Sequence, residues 1–387
     1  MISWTFNDSG LLIGVFSPHD KRQSIVETDQ SIKIAAFDLD GTIIKPKSGG
    51  IRPRDSDDWE WWDLKVPSKI QEAYGKGFAI KIITNQGRLT NLDGSQAPEA
   101  VMFKHMIQQL LEILDVPVSI YVACADDNWR KPREGVWQFL IQEYQRKGKQ
   151  IDHSQSFYVG DSAGRADDHA DTDIHYSMNL GIGFRTPEAF FLDSRSEATG
   201  HKFNPSWFLR DQNSWDDLAL RIKRTPIPVI LLVGGPGAGK SYFFRKILQP
   251  LGYSHICPRT LGSQKRCEED FENAILTKRL VVIDGNNRTI NARTSWLSIA
   301  GRCEVQVTAI FFDLQATLCL HNDTVRALGG DVMNPERRGI FPRTSFLKAM
   351  AEFEKPSPSE DFTEVIHLSF QWIGSDEELQ IWQKFWV

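Results

Sequence analysis

Residues 31–44 read SIKIAAFDLDGTII, an apolar run that ends abruptly in two acids and a glycine. A stretch that stays apolar along most of its length suits a β-strand covered on both faces, as in a parallel sheet. Asp38 and Asp40 stand two apart, so their side chains leave on one side if the strand persists, and Gly41 supplies the turn. Paired carboxylates at the carboxyl end of a strand lie where open α/β sheets bind ligands. Such a pair can divide its labour, one acting as nucleophile and the other as acid or base.

Outward from this stretch, strand and helix patterns alternate: SKIQEAYGKG, FAIKIITN, EAVMFKHMIQQLLEILD, VSIYVACA, EGVWQFLIQEYQRK and SFYVGD. The alternation predicts a doubly wound α/β domain. It runs to about residue 190 and fades through HKFNPSWFLRDQNSWDDL. After KRTPIPV a second series begins with VILLVGG, SYFFRKILQPLG, EDFENAILTK, RLVVIDG, TSWLSIAG and VQVTAIFFD, which predicts a second doubly wound α/β domain. The expected division is an N-terminal extension over 1–30, a first domain over 31–210 and a second over 226–387.

The second series opens on residues 229–241, VILLVGGPGAGKS. Gly234, Gly235, Pro236, Gly237, Ala238, Gly239, Lys240 and Ser241 satisfy GxxxxGKS between a strand and a helical run. Backbone N–H groups and Lys240 should hold the β- and γ-phosphates of ATP, with Ser241 on Mg²⁺. Asp284, ending RLVVID, suits a Walker-B-like carboxylate on the metal, with a substitute catalytic base as the alternative.

With 387 residues the chain exceeds one ordinary core, in keeping with two domains. Its net charge of −5 argues against a protein that coats nucleic acid generally, so any polynucleotide groove must be a local basic patch. Cys124, Cys257, Cys267, Cys303 and Cys319 form no CxxC pair, which suits buried thiols in a reducing compartment and implies no zinc site. LLIGVF has no basic flank and is too short for a signal segment, and no run approaches a membrane span. A soluble intracellular protein with no membrane partner is expected.

Three later strand ends complete a phosphoryl-transfer set: Thr84 in KIITNQ, Lys131 in WRKP and Asp161 in FYVGDSAGR. An attacking aspartate needs Mg²⁺ to mask its repulsion from phosphate and a lysine to hold the aspartyl-phosphate. The order DLDGT, then threonine, lysine and GD resembles the haloacid-dehalogenase-like phosphohydrolases. That resemblance implies Asp38 as nucleophile, Asp40 as general acid/base, Thr84 and Lys131 as phosphate binders, and Asp161 as a Mg²⁺ ligand, with Asp38 and Asp40 also on the metal. Spacing does not choose the further metal-side carboxylate among Asp167, Asp168, Asp171 and Asp173. Asp173, just before HYSMNLGIGF, is preferred, with the other three forming a solvated, mobile acidic loop.

The stretches SGG with a following DW, FAIKIITNQGRL, FKHMIQQLLEILDVP, RKPREGVW, FYVGDSAGR and MNLGIGFRTPEAFF sharpen the likeness, and VGGPGAGKS, TLGSQKRC, LVVIDGNN and LHNDTVRAL continue it. Together they resemble the polynucleotide kinase 3′-phosphatase family of DNA end-repair enzymes over nearly everything from residue 32. The resemblance implies removal of terminal 3′-phosphates from DNA ends, a nuclear location and possible DNA-repair partners. The phosphopeptide-binding domain of longer members has no room here. Trp129, beside Arg130 and Lys131 with Arg133 and Arg88 nearby, is a candidate for stacking on a DNA base, with core packing as the alternative. DSDDWEWWDL is expected to be a packed loop.

The kinase half departs from the family. Its members carry an aspartate directly before TLGS that takes the proton of the DNA 5′-hydroxyl, whereas this chain reads HICPRTLGS and places Arg259 there. A guanidinium stays charged and accepts no proton. Arg326 and the Arg337–Arg338 pair remain in a lid region thinner in arginine than the family's pattern. The expected activity is therefore a 3′-phosphatase with ATP binding and weak or absent 5′-kinase transfer. The alternatives are a fully bifunctional enzyme with a replacement carboxylate, and a second domain that only binds or regulates.

Overall fold

In the computed structural model, which describes residues 1–7, 10–18, 30–91, 95–195, 199–209 and 214–387, the supposed N-terminal extension is part of a sheet. β1 (Ser3–Phe6) and β2 (Leu11–Phe16) form an antiparallel hairpin. β3 (Ser31–Phe37), the short hairpin β4 (Ile44–Lys45) and β5 (Glu60–Trp61), β6 (Phe78–Asn85), β7 (Val118–Ala123), β8 (Gln150–Ile151), β9 (Phe157–Val159) and β10 (Gly183–Arg185) follow. The main sheet runs β1-β2-β7-β6-β3-β9-β10, with β8 added beside the start of β3. From β7 through β10 neighbours are parallel, while β2 pairs antiparallel with β7. LLIGVF thus covers what would be an exposed edge of β7, and burying Leu11, Leu12 and Phe16 contributes about 1.5–3 kcal/mol per side chain.

This sheet carries the first of two compact units, Met1–Asn204, to which the last three residues, Phe385–Val387, also belong. The return of the tail differs from the expected boundary because Phe385 has partners here. Its N–H donates to Asn179 Oδ1 at 3.0 Å, and its ring stacks on His175 with centroids 3.7 Å apart. Under β3, Phe37, Phe157, Phe190 and Phe191 pack ring to ring, with Phe37 and Phe190 edge-to-face at 5.3 Å. That packing holds the strand end carrying Asp38.

The second unit, Pro205–Lys384, contains β11 (Val229–Val233), β12 (Ser254–Ile256), β13 (Val281–Asp284), β14 (Val307–Phe312) and β15 (Glu364–Leu368). All five are parallel in the order β12-β13-β11-β14-β15, so the strand feeding the glycine loop is central and buried throughout. The unit begins before the expected residue 226. Helix Ser214–Arg224 spaces Trp215, Leu218 and Ile222 along one face, and that face is buried with the β11 core. Among the described residues, no helix is long and apolar enough to cross a membrane.

Candidate functional site

The order β7-β6-β3-β9 puts the sequence-selected residues of the first unit at adjoining carboxyl ends. Asp38 follows β3 directly and its N–H donates to Val159 O at 2.9 Å, tying it to the end of β9. Lys131, only 3% exposed, arrives from the loop after β7. Its Nζ donates to Asp38 Oδ1 at 2.7 Å, Asp173 Oδ1 at 2.8 Å and Tyr158 Oη at 2.6 Å. Asn85 fixes that loop through both amide atoms, donating to Lys131 O and accepting from Lys131 N.

Asp40 lies on the other side of the turn, where its Oδ2 accepts from Gln86 Nε2 at 2.6 Å, and the same amide donates to Thr84 Oγ1 at 3.1 Å. Thr84, Asp40 and Gln86 are therefore one connected group. Gly41 has φ +74, and a Cβ there would lie 2.5 Å from Asp161 Oδ2. Only glycine gives the turn both the backbone angle and the space for that carboxylate.

Asp38, Asp161 and Asp173 each offer a carboxylate oxygen, all within 4.8 Å of one another. Three acids face one ammonium. Burial pushes Asp38 well above the usual carboxylate range, against the attraction of Lys131, and burial with repulsion from Asp173 pushes Asp161 up to about 7. Burial opposes the charge on Lys131, but Asp173 and Asp38 outweigh it and raise its pKa. Burial also raises Asp40, partly offset by the Gln86 hydrogen bond. A cluster of hard oxygen donors with excess negative charge fits Mg²⁺.

The other acids near Asp161 have structural partners. Asp171 accepts from the backbone N–H groups of Lys202 and Phe203, and Asp168 from Ala163 N, Arg165 N and the Arg165 guanidinium. Both pin the chain, which corrects the expectation of a solvated, mobile acidic loop; Asp167 alone of the three is exposed. The basic patch around Trp129 is also largely structural. Trp129 sets its edge against Phe139 at 6.1 Å, and buried Arg133 donates to Asp127 O and Trp386 O. Trp59 and its neighbours pack on the core, as expected for that loop.

In the second unit the loop after β11 coils tightly. Gly237 has φ +76, and a Cβ there would meet Cys319 O at 2.0 Å. Lys240 Nζ donates to Gly234 O at 2.8 Å and Gly235 O at 2.9 Å, within the loop itself. Ser241 Oγ donates to Asp284 Oδ2 at 2.6 Å, and His255 Nε2 lies 3.1 Å from the same oxygen. Burial alone would raise Asp284, but His255, Ser241 and Lys240 hold it below the ordinary carboxylate value. A half-buried lysine held by loop carbonyls, beside a hydroxyl–carboxylate pair, fits the phosphates of ATP and their Mg²⁺.

Arg259 and Arg326 do not join that group. Arg326 pairs with Asp323 one turn away on its own helix, and Arg259, half exposed, has Nη1 3.6 Å from Glu336 Oε2. Sequence reasoning missed Asn85, Gln86, Tyr158, His255 and Glu336. The NQ after KIIT was a usable signal, because amides directly after a strand end are placed to orient neighbouring groups. Cys257 also joins His255 and Asp284, with ligand atoms all within 4.8 Å, a grouping that cysteine spacing could not reveal.

The chain is similar to known proteins along most of its length. Residues 33–191 match the family model described as polynucleotide kinase 3 phosphatase. The chain is 31% identical over 379 residues to the bifunctional polynucleotide phosphatase/kinase of Schizosaccharomyces pombe, covering 97% of this chain and 87% of that one. It is 27% identical over 385 residues to a putative bifunctional polynucleotide phosphatase/kinase of Acanthamoeba polyphaga mimivirus, covering 91% and 88%. The polynucleotide 3′-phosphatase of Saccharomyces cerevisiae is 26% identical over 217 residues, covering 44% of this chain and 91% of that one.

Proposed function

The chain belongs to the bifunctional polynucleotide phosphatase/kinase family, and on that premise we propose that it removes 3′-phosphates from DNA ends through an aspartyl-phosphate on Asp38. The supporting observation is the buried ammonium of Lys131, shared by Asp38 and Asp173 at 2.7 and 2.8 Å. Asp38 Oδ attacks phosphorus as the bond to the strand's 3′-oxygen breaks, and Asp40 delivers a proton to that leaving oxygen. Burial raises the pKa of Asp40 and so favours the protonated form an acid needs, and Gln86 aims the carboxyl. Thr84 and Lys131 then hold the phosphoryl oxygens while Asp40 takes a proton from a water whose oxygen bonds to phosphorus as the Asp38 Oδ–P bond breaks, which frees inorganic phosphate and restores the Asp38 carboxylate. Asp38, Asp161 and Asp173 would hold Mg²⁺, which when bound supplies the positive charge that lets a carboxylate approach a phosphate.

The second unit would bind ATP through residues 234–241, with Asp284 on the metal side. Asp284 is committed to Ser241 and His255, which favours that role over a substitute base. With Arg259 where the family's base stands, transfer to a 5′-hydroxyl is weak or absent. DNA ends are then the substrate, the nucleus the place of work, and repair proteins the natural partners.

The test is one oligonucleotide bearing a 5′-hydroxyl and a 3′-phosphate, incubated with labelled ATP and Mg²⁺. Release of the 3′-phosphate with little 5′-label is expected. Retained release by Asp38→Asn, or robust label transfer by the unmodified chain, would refute the respective half.

A further inference from the structure

Three arginines from separate parts of the second unit converge on one acid. Arg245 belongs to the helical turn after the phosphate loop, Arg259 to helix Pro258–Leu261, and Arg338 to the segment after Asn334. Arg245 Nη1 lies 2.7 Å from Glu336 Oε1, Arg259 Nη1 lies 3.6 Å from Glu336 Oε2, and Arg338 donates through Nε to Glu336 Oε2 at 2.5 Å. Among the described residues, no other carboxylate forms an ion pair with any of the three.

Three guanidiniums around one carboxylate leave two positive charges in a chain whose net charge is −5. The side chains of Arg245 and Arg259 are 44% and 49% exposed, so a ligand can reach them from solvent. The cluster also borders the phosphate loop. Phe244, next to Arg245, stacks on His255 at 4.0 Å, and His255 contacts Asp284, the partner of Ser241.

Guanidiniums pair with carboxylates and phosphates through the same planar donors, and a terminal phosphate brings more charge and more acceptor oxygens than a carboxylate. Glu336 therefore occupies the place of an anion as an internal stand-in. An aspartate at position 259 would repel a terminal phosphate; an arginine attracts one. We propose that Arg245, Arg259 and Arg338 form a receptor for the 5′-phosphate of a DNA strand end, so that this unit reads a phosphorylated end rather than making one. The inference rests on the preceding assignment of DNA ends as substrate.

The experiment measures binding of two fluorescent oligonucleotides of identical sequence, one 5′-phosphorylated and one 5′-hydroxyl, both with 3′-hydroxyl ends, to the full chain at fixed salt. A preference for the phosphorylated end of about tenfold or more is expected, given the strength of charge-assisted arginine–phosphate contacts. Arg259→Gln should remove most of it, Arg245→Gln should weaken it, and Glu336→Gln should strengthen it by removing the competing acid. Arg302→Gln, a charge loss at an exposed arginine that pairs with Glu272, should leave it unchanged.

Equal affinity for the two ends, or a preference that survives Arg259→Gln combined with Arg245→Gln, would overturn the proposal. So would a phosphoserine peptide that binds as tightly as the phosphorylated strand. Failure of DNA-end recognition altogether is distinguishable, because the unmodified chain would then release no 3′-phosphate from an oligonucleotide.

Discussion

The two units each present a site for phosphate, but with opposite charge. In the first, Asp38, Asp161 and Asp173 face a single Lys131, so an anion there meets a surplus of acid. In the second, Lys240 and a coil of backbone around Gly237 greet phosphate with positive and dipolar groups. The acids of the first site fall into two hydrogen-bonded groups, Asp38 and Asp173 on Lys131, and Asp40 with Thr84 on Gln86. The second carries the glycine loop, Lys240 and Ser241, with Arg259 before TLGS. Binding and chemistry can thus be lost separately: backbone N–H groups persist whatever side chains surround them, whereas a base is one residue.

The largest test of this contrast is Asp38→Asn, expected to cut 3′-phosphate release from an oligonucleotide by at least about 10⁴-fold, as removal of a nucleophile does. Lys240→Ala should leave that release nearly unchanged while abolishing retention of labelled ATP; comparable damage to both activities would mean that the two sites are not chemically separate. Asp40→Asn should slow the phosphatase by about 10²- to 10⁴-fold, the usual contribution of a positioned acid/base, and flatten its pH–rate profile. An unchanged profile would give the proton-transfer role to another group. Arg259→Asp should raise 5′-label transfer by about 10²-fold, the lower end of that contribution. No gain would mean that the acceptor side has lost more than its base.

The smallest expected effect concerns stability, where two buried groups, one in each unit, have opposite pH signs. Asp161 is raised from 3.8 to about 7 in the folded protein, so its own contribution to the first unit is present at low pH and is lost as pH rises towards 7. His321 is lowered from 6.5 to about 3 by burial, its Nε2 held at Trp382 O, so its contribution to the second unit is present above pH 6.5 and is lost as pH falls towards 3. Each slope is at most about 1.4 kcal/mol per pH unit, readable by unit-resolved hydrogen exchange between pH 5 and 8. Mg²⁺ or Asp161→Asn should flatten the first slope only, and His321→Gln the second only.

Much of the fold could be read because a buried parallel strand declares itself as a continuous apolar run, and both glycine turns must lie at strand ends. The N-terminal hairpin was harder. LLIGVF is a strand only because β7 offers it an edge, and that edge lies more than a hundred residues away in sequence. The helix over Ser214–Arg224 was obscured by a polar stretch whose apolar face has meaning only against β11. Asp168 and Asp171 looked solvated for the same reason: their partners are backbone N–H groups, which carry no signature in a sequence.

By itself the sequence determined the kinds of chemistry present: two acids after a strand, a lysine and threonine to follow, a phosphate-binding loop, and an arginine in place of a base. The tertiary structure decided which groups act together. It brought Asp173, of four neighbouring acids, to Lys131, coupled Asp40 to Thr84 through Gln86, and gathered Arg245 and Arg259 beside Arg338 on Glu336. The physical reason is that residue type sets what a group can donate, accept or transfer, while its charge state and reach depend on burial and on neighbours that only folding brings within a few ångströms.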